Sequence, residues 1–305
     1  MAFTPKHKAY IALAATSIIW GTTWVAMKIG LKEMPPLELA SLRQFIAGGI
    51  FITFFLFKKE SLPTFQQFKK LFFLGILTFV MANALSTWSM KYLTSGLGAL
   101  IGALYPLSVV MIEYFFLKDK SINVITVAGI LLGIGGIAFV FYDTAFGVHP
   151  SGYLFGIALA LIAMLSWSVS SILIARKYIK MNAYFAMGWQ MFFSAIIVAV
   201  LSFSTEKVIS LTTVSLHTWL VIAYLIFAGS MIAIVAFVYS MKHLNPAIAV
   251  LYAYINPIVA MVTGTILLNE KITTTILVGS LITLLGVYLV NYSMRKIREK
   301  EMIGE

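Results

Sequence analysis

Long apolar runs alternate with short polar breaks along the whole chain, and ten such runs can be distinguished. Each run approaches the roughly 20 apolar residues that an α-helix needs to cross the hydrocarbon core of a bilayer. The pattern therefore predicts an all-α integral membrane protein with ten transmembrane helices. The predicted spans are residues 9–30, 37–57, 70–90, 95–117, 123–142, 152–174, 184–203, 217–239, 245–268 and 273–293.

The chain also repeats itself at a distance of about half its length. A shift of 151 positions places residues 94–120 on residues 245–271, so that Pro106 aligns with Pro257. Both stretches also end in an acidic residue followed by Lys, which makes a chance match between two apolar segments a poor explanation. The first five predicted helices therefore correspond to the last five.

An odd number of helices in each half means that the two copies enter the membrane from opposite sides. We therefore predict two inverted-topology five-helix repeats, residues 1–146 and residues 147–305, the second ending in a short basic tail. Repeats of this kind are typical of secondary transporters, whose substrate site lies near the bilayer midplane between the two halves.

Composition and charge support a membrane protein with a defined orientation. The chain is 61% hydrophobic and only 11% charged, whereas a soluble domain carries about 25% charged residues. Its net charge of +11 is spread over short segments between the apolar runs, which argues against nucleic-acid binding. With the N-terminus in the cytoplasm, sixteen of the 22 Lys and Arg residues lie in cytoplasmic segments. We therefore predict that both termini are cytoplasmic.

Several kinds of chemistry have no basis in the sequence. The chain has no Cys, and its four His stand at or beyond the ends of apolar runs, so we expect no disulfide and no metal site. It has no phosphate-binding Walker loop, so we expect neither direct ATP hydrolysis nor another cofactor. A membrane-embedded lipid-modifying enzyme is the alternative from a different class, but it needs acids or His clustered at one membrane face. The 11 acidic residues are scattered.

Short motifs recur in order along both halves. They are Ile19-Trp20-Gly21, Arg43 within LASLRQFIAGGI, Lys91-Tyr92 before Thr94-Ser95-Gly96, FFLKDK, and Leu267-Leu268-Asn269-Glu270-Lys271. Taken together and in this order, they resemble the EamA-type branch of the drug/metabolite transporter superfamily, a group of ten-helix carriers. The resemblance implies a carrier of the bacterial inner membrane, often an exporter of amino acids or other small metabolites.

The leading functional hypothesis is a secondary-active transporter of small organic metabolites. Within it, export of amino acids or related amphipathic compounds by alternating access comes first. An exchanger or importer of nucleotide-like or cofactor-like metabolites is the alternative. The expected partners are a small-molecule substrate, the lipid bilayer and, as a candidate coupling ion, the proton. Both a monomer and a homodimer are compatible with the sequence.

The fourth and ninth predicted helices each carry a proline in mid-membrane. Because proline has no N–H, Pro106 and Pro257 leave the carbonyls of Gly102 and Ala253 without their helical partners. We predict the two prolines as hinges, with a simple packing kink as the alternative. Small residues on the same faces are predicted to let neighbouring helices approach closely. They are Gly98, Gly102, Ala249 and Ala253.

Aromatic and polar side chains at membrane depth supply a candidate substrate lining. Trp20 of the first helix aligns with Trp167 of the sixth helix at an offset of 147 positions. A cavity lined by aromatic rings and a few polar groups suits an amphipathic organic molecule. Packing between helices is the alternative for the same residues. The predicted lining is Trp20, Trp24, Asn83, Tyr105, Trp167, Ser170, Tyr252 and Asn256.

Three of the charged residues within the predicted helices, Glu38, Arg43 and Glu113, are candidates for coupling or charge pairing. Arg43 lies about two turns into the second helix, where it could pair with Glu38 or a helix end, or hold a substrate carboxylate. Glu113 is predicted either to couple transport to protons or cations, or to form an ion pair near the membrane interface.

Overall fold

A computed structural model describes residues 4–116, 122–145, 151–176, 178–244, 248 and 251–303. All regular secondary structure in these residues is helical. Eight helices are long and apolar enough to cross a membrane, and α5 and α9 are shorter apolar helices. The helices are α1 Pro5–Gly30, α2 Pro36–Phe57, α3 Phe65–Ser89, α4 Ser95–Phe116, α5 Val124–Ala145, α6 Tyr153–Ala175, α7 Ala183–Thr205, α8 Leu216–His243, α9 Tyr252–Leu268 and α10 Thr274–Ile303.

The predicted ten-helix architecture is confirmed, with helix ends that differ by several residues. The α1 helix begins at Pro5 because Thr4 caps it, its hydroxyl accepting the N–H of His7. The α10 helix continues to Ile303, so the described part of the predicted basic tail is helical. The predicted boundary between residues 146 and 147 lies outside the described residues and stays a prediction.

Two of the spans contain a π-helical segment that the apolar pattern did not predict. In α3 it covers Ile76–Ala84, and in α8 it covers Leu225–Ile232. The two segments occupy corresponding places in the two halves. A π segment widens the helix and disturbs the backbone hydrogen-bond ladder, and such segments often occur at functional sites.

The two predicted hinge prolines have different surroundings. The α4 helix is interrupted at Ala103 and Leu104, immediately before Pro106, so that it consists of Ser95–Gly102 and Tyr105–Phe116. Pro257, in contrast, lies inside a continuous helical segment of α9. The proline in the first half therefore accompanies a break, whereas its counterpart does not break the described helix.

Helix packing follows the symmetry of an inverted repeat. In the first half α1 packs on α8 and α9, and in the second half α6 packs on the corresponding α3 and α4. Three corresponding pairs pack on each other directly, namely α2 with α7, α4 with α9 and α5 with α10. These three pairs lie where a two-fold axis between the halves must pass.

The loops fall on two faces. The terminal face carries the start of α1 and the end of α10. The loop after α2 contacts the loop after α6 there, where Asn182 Nδ2 donates to Glu60 Oε1 at 3.1 Å. The far face carries the loops after α1, α3, α7 and α9, where Glu33 accepts the N–H of Ser215 at 2.8 Å. Contacts between loops thus agree with strict alternation of the spans.

Glycines allow the closest helix pairs to touch backbone to backbone. A Cβ atom added at Gly136 of α5 would lie 2.5 Å from the backbone nitrogen of Thr283 in α10. In α2, a Cβ atom at Gly48 would lie 2.8 Å from the backbone nitrogen of Phe192 in α7. Side chains cannot be accommodated there without separating the helices.

The adjacent glycines of α5 provide a matched test of this contact. We expect Gly136→Val to lower the free energy of unfolding by about 1–3 kcal/mol, because the side chain overpacks against the α10 backbone. Gly135→Val is the control, since a Cβ atom there meets nothing within 4 Å. Thermal unfolding of both variants in detergent measures the difference. Equal midpoints would contradict the proposed backbone contact.

Candidate functional site

A central cavity of about 180 Å³ lies between the two halves. Its walls come from α1, α2, α3 and α4 of the first half and from α6, α7, α8 and α9 of the second. Among the described residues, neither α5 nor α10 contributes to the lining. The pair α5–α10 is therefore a scaffold outside the site, and the other eight helices form the site.

Most of the predicted lining residues meet in this cavity. Ser170 does not line it, because its buried hydroxyl donates to the carbonyl of Trp167 within α6. Glu38, Glu113, Pro106 and Pro257 also lie outside the lining. Ala249 lies outside the described residues. The predicted residues that do line the cavity are Trp20, Trp24, Arg43, Asn83, Gly98, Gly102, Tyr105, Trp167, Tyr252, Ala253 and Asn256.

Aromatic rings from five helices form one wall. Trp20 meets Trp167, its counterpart in the repeat, edge to face with ring centroids 6.1 Å apart. Trp20 also contacts Phe237 and Tyr252 at 5.1 and 5.2 Å, and Tyr252 stacks on Tyr105 at 5.8 Å. We call these five residues the aromatic cluster. It gives the cavity a flat apolar surface.

Polar side chains from three helices form a second wall. Arg43 Nε donates to the hydroxyl of Ser230 at 2.7 Å. Gln44 Nε2 donates to the carbonyl of Phe79 and to Asn83 Oδ1, both at 3.1 Å. We call Arg43, Gln44, Thr78, Asn83 and Ser230 the polar wall; all five line the cavity. Gln44, Thr78 and Ser230 were not predicted, although Gln44 directly follows Arg43 in the sequence.

The π segments explain part of this arrangement. A carbonyl that loses its helical partner inside a membrane must find another donor. In α3 the carbonyl of Phe79 accepts from Gln44, and in α8 the carbonyl of Gly229 accepts the indole N–H of Trp20 at 3.1 Å. Side chains that line the cavity thus also stabilise the irregular backbone of the two corresponding helices.

Two buried oxygens of the polar wall have no hydrogen-bond partner. They are Gln44 Oε1 and Thr78 Oγ1, on side chains that are each 1% exposed. A buried polar atom without a partner costs about 1–3 kcal/mol. Atoms of this kind at the edge of a cavity are suited to bond a molecule that fills it.

The proposed pairing of Arg43 with Glu38 is not present. Glu38 Oε2 accepts the N–H of Ile209 at 3.1 Å, and no ion pair joins the two residues in the described structure. Residues five apart on a helix point to different sides, so Glu38 faces the far-face loop while Arg43 faces the cavity. The hydrogen bond that Arg43 makes in the described structure is to Ser230, and its predicted alternatives of pairing with a helix end or binding a substrate carboxylate stay predictions.

The small residues of α4 make room for neighbouring side chains. A Cβ atom at Gly102 would lie 3.3 Å from the ring of Trp24, and one at Gly98 would overlap Met90 and lie 3.1 Å from the Trp24 ring. The predicted role of these glycines in helix packing stays a prediction. Asn256 lines the cavity but also connects two helices. With its amide oriented to suit its neighbours, the amide nitrogen donates to the carbonyl of Ser17 at 2.8 Å.

Carboxylates on the far face cap the starts of helices in the opposite half. Glu270 accepts the backbone N–H of Ser95 at 3.0 Å and its hydroxyl at 2.6 Å, and lies 3.7 Å from Lys28 Nζ. Glu33 accepts the N–H and hydroxyl of Ser215, and these bonds lower the pKa of its carboxyl group. A carboxylate at a helix N-terminus is stabilised by the unpaired N–H groups there.

The Glu270 contact can be tested against its neighbour in the chain. We expect Glu270→Gln to lower the free energy of unfolding by about 1.5–3 kcal/mol, since an amide cannot accept from Ser95 with both atoms or pair with Lys28. Lys271→Gln is the control, because that residue is exposed. Thermal unfolding in detergent compares the two. A loss of stability in the control as large as that of Glu270→Gln would contradict the capping role.

A ten-helix membrane protein with a lined cavity between two inverted halves belongs, by its architecture, among the membrane transporters. The sequence profile of the EamA-like transporter family matches residues 7–142 and 154–292. The chain therefore belongs to the EamA-like transporter family, as its motifs predicted. This family consists of transporters, so the protein is a membrane transporter and not an enzyme.

Relatives and solved structures agree with this assignment. The chain is 30% identical to the uncharacterized inner membrane transporter YedA of Escherichia coli over 89% of its own length and 87% of the relative. It is 26% identical to the uncharacterized transporter YoaV of Bacillus subtilis, with 95% and 99% coverage. A crystal structure of another protein superposes with a TM-score of 0.67 at 19% identity, covering 94% of this chain and 98% of that one, which shows the shared fold.

Proposed function

We propose that the protein is a secondary-active exporter of amino acids or related amphipathic compounds in the bacterial inner membrane. The observation that carries the proposal is the central cavity, to which each half contributes four helices. A site shared equally between inverted halves is the arrangement required for alternating access. With the terminal face in the cytoplasm, the excess of basic residues lies on the cytoplasmic side.

The walls of the cavity support an amphipathic substrate. The aromatic cluster offers a flat apolar surface, and the polar wall lies within the same cavity. A molecule with one apolar part and one polar part can satisfy both walls at once. A purely apolar molecule would leave Gln44 Oε1 and Thr78 Oγ1 without partners.

Irregular helices supply the means of movement in this proposal. The break in α4 and the π segments of α3 and α8 concentrate weak backbone hydrogen bonding around the cavity. On the far face, carboxylates such as Glu270 hold the halves together across their interface. We propose that these contacts open and close as access alternates, with Pro106 at the bending point.

Filling the cavity tests the transport proposal directly. We expect Gly102→Leu to reduce export from proteoliposomes loaded with radiolabelled amino acids by at least about tenfold, since its side chain would occupy the space beside Trp24. Gly49→Leu is the matched control, because a Cβ atom there meets nothing within 4 Å. If the unmodified protein moves no solute across a broad amino-acid and metabolite panel, the proposed function is wrong.

Proton coupling through Glu113 is a separate prediction. Glu113 lies on α4 beyond the break, part-exposed and outside the cavity lining. If it carries the coupled proton, Glu113→Gln removes the dependence of export on a pH gradient while export down a substrate gradient continues. The measurement compares flux with and without an imposed pH difference. A variant that keeps the full response to pH rules out Glu113 as the proton carrier.

A further inference from the structure

We propose that the cavity is selective for organic anions, and that Arg43 binds the carboxylate of a substrate whose flat apolar part rests on the aromatic cluster. This proposal rests on the proposed transport function and narrows its substrate class. It predicts that a carboxylate is required for binding, whereas an amino group is not. Amino acids would then be one class of a wider range of organic acids.

The first support is the state of the Arg43 side chain. The residue is 6% exposed, yet its only hydrogen bond within the described structure runs from Nε to Ser230. A guanidinium has five N–H donors, and neither Nη group of Arg43 has a hydrogen-bond partner in the described structure. Their planar geometry matches the two oxygens of a carboxylate. An isolated buried charge is costly, and an anionic ligand would offset that cost.

The second support is the sign of the charge in the cavity. Among the described lining residues, Arg43 is the charged side chain, and no Asp or Glu is present. The ion pair between Lys28 and Glu270 lies on the far face, away from this site. A cationic ligand would therefore meet a like charge without a counter-ion. Its best alternative contact is a cation–π interaction with the aromatic cluster.

The third support is the position of the remaining polar atoms. The Ser230 hydroxyl accepts from Arg43 Nε and so holds the guanidinium in place. This bond does not use the two Nη groups. Gln44 Oε1 can accept an N–H or O–H of the ligand, and Thr78 Oγ1 can donate or accept. A carboxylate with a nearby donor group, as in amino acids and hydroxy acids, would satisfy all three residues.

Ligand binding to the purified, full-length protein tests the proposal without requiring transport. Three of the six Trp residues line the cavity, so quenching of their fluorescence reports occupancy. The probes are 3-phenylpropionate, its amide 3-phenylpropionamide, and phenethylamine. We expect the carboxylate to bind on the order of 10- to 100-fold more tightly than the amide or the amine, the range for a lost charged hydrogen bond.

Variants then test whether Arg43 is the source of the preference for a carboxylate. Arg43→Gln should reduce the affinity for the carboxylate to that of the amide, whereas Lys32→Gln, at an exposed position, should change neither. Ser230→Ala keeps the charge but releases Nε, so it should weaken carboxylate binding several-fold and serves if Arg43→Gln does not fold. Thr78→Val should weaken ligand binding without lowering the unfolding temperature, because its hydroxyl has no partner in the protein.

The outcomes separate this proposal from the transport function. Equal or tighter binding of phenethylamine would overturn it in favour of a cation site on the aromatic cluster. A carboxylate preference that survives in Arg43→Gln would assign Arg43 a structural role, and the absence of saturable quenching by any of the probes would also overturn it. If carboxylate-dependent binding is found but proteoliposomes show no flux, the anion site stands and the transport proposal fails.

Discussion

Backbone hydrogen bonding inside the bilayer limits where this chain can depart from regular helices. Because no water is available there, a freed carbonyl needs a donor from the protein or from a bound molecule. The described spans depart from α geometry in α3, α4 and α8, and all three helices line the cavity. Gln44 and Trp20 supply donors to the two π segments. The same side chains therefore stabilise the irregular backbone and form the wall of the site.

The inverted repeat divides the helices into those that hold the structure and those that form the site. The α5–α10 pair is locked by close contacts at Gly136 and lies outside the cavity. The α2–α7 pair is locked in the same way at Gly48, but it also presents Arg43 and Gln44 to the cavity. The closely packed α2–α7 pair thus positions Arg43 and Gln44 beside the irregular helices α3 and α8, which carry the rest of the polar wall.

The apolar pattern and the internal repeat predicted the number of helices, their order and the inverted relation of the halves, because lipid imposes length and polarity on every span. Trp20 and Trp167, predicted from their matching places in the repeat, both line the cavity, and their part in substrate binding stays a prediction. The π segments could not be predicted, because no proline or charge marks Ile76–Ala84. Thr78 and Ser230 were also missed. Most Ser and Thr hydroxyl groups in membrane helices bond to a carbonyl of their own helix, and the sequence does not mark the ones that face a cavity. The pairing of Arg43 with Glu38, one of the predicted alternatives, rested on proximity in sequence and did not take account of the direction of side chains around a helix.

Symmetry also clarifies why one charge matters. Arg43 aligns with Gln190, which is buried and does not line the cavity. The scaffold is therefore repeated, but the cation is present in one half only. A single buried cation can be neutralised by a single anionic group, and a carrier loaded in this way would have no net charge at its centre. Since moving a charge through the low-dielectric interior is costly, a neutral loaded site would rearrange more easily than an empty one. On the proposed anion site, the asymmetry between Arg43 and Gln190 would couple occupancy to movement without any second charged residue in the cavity.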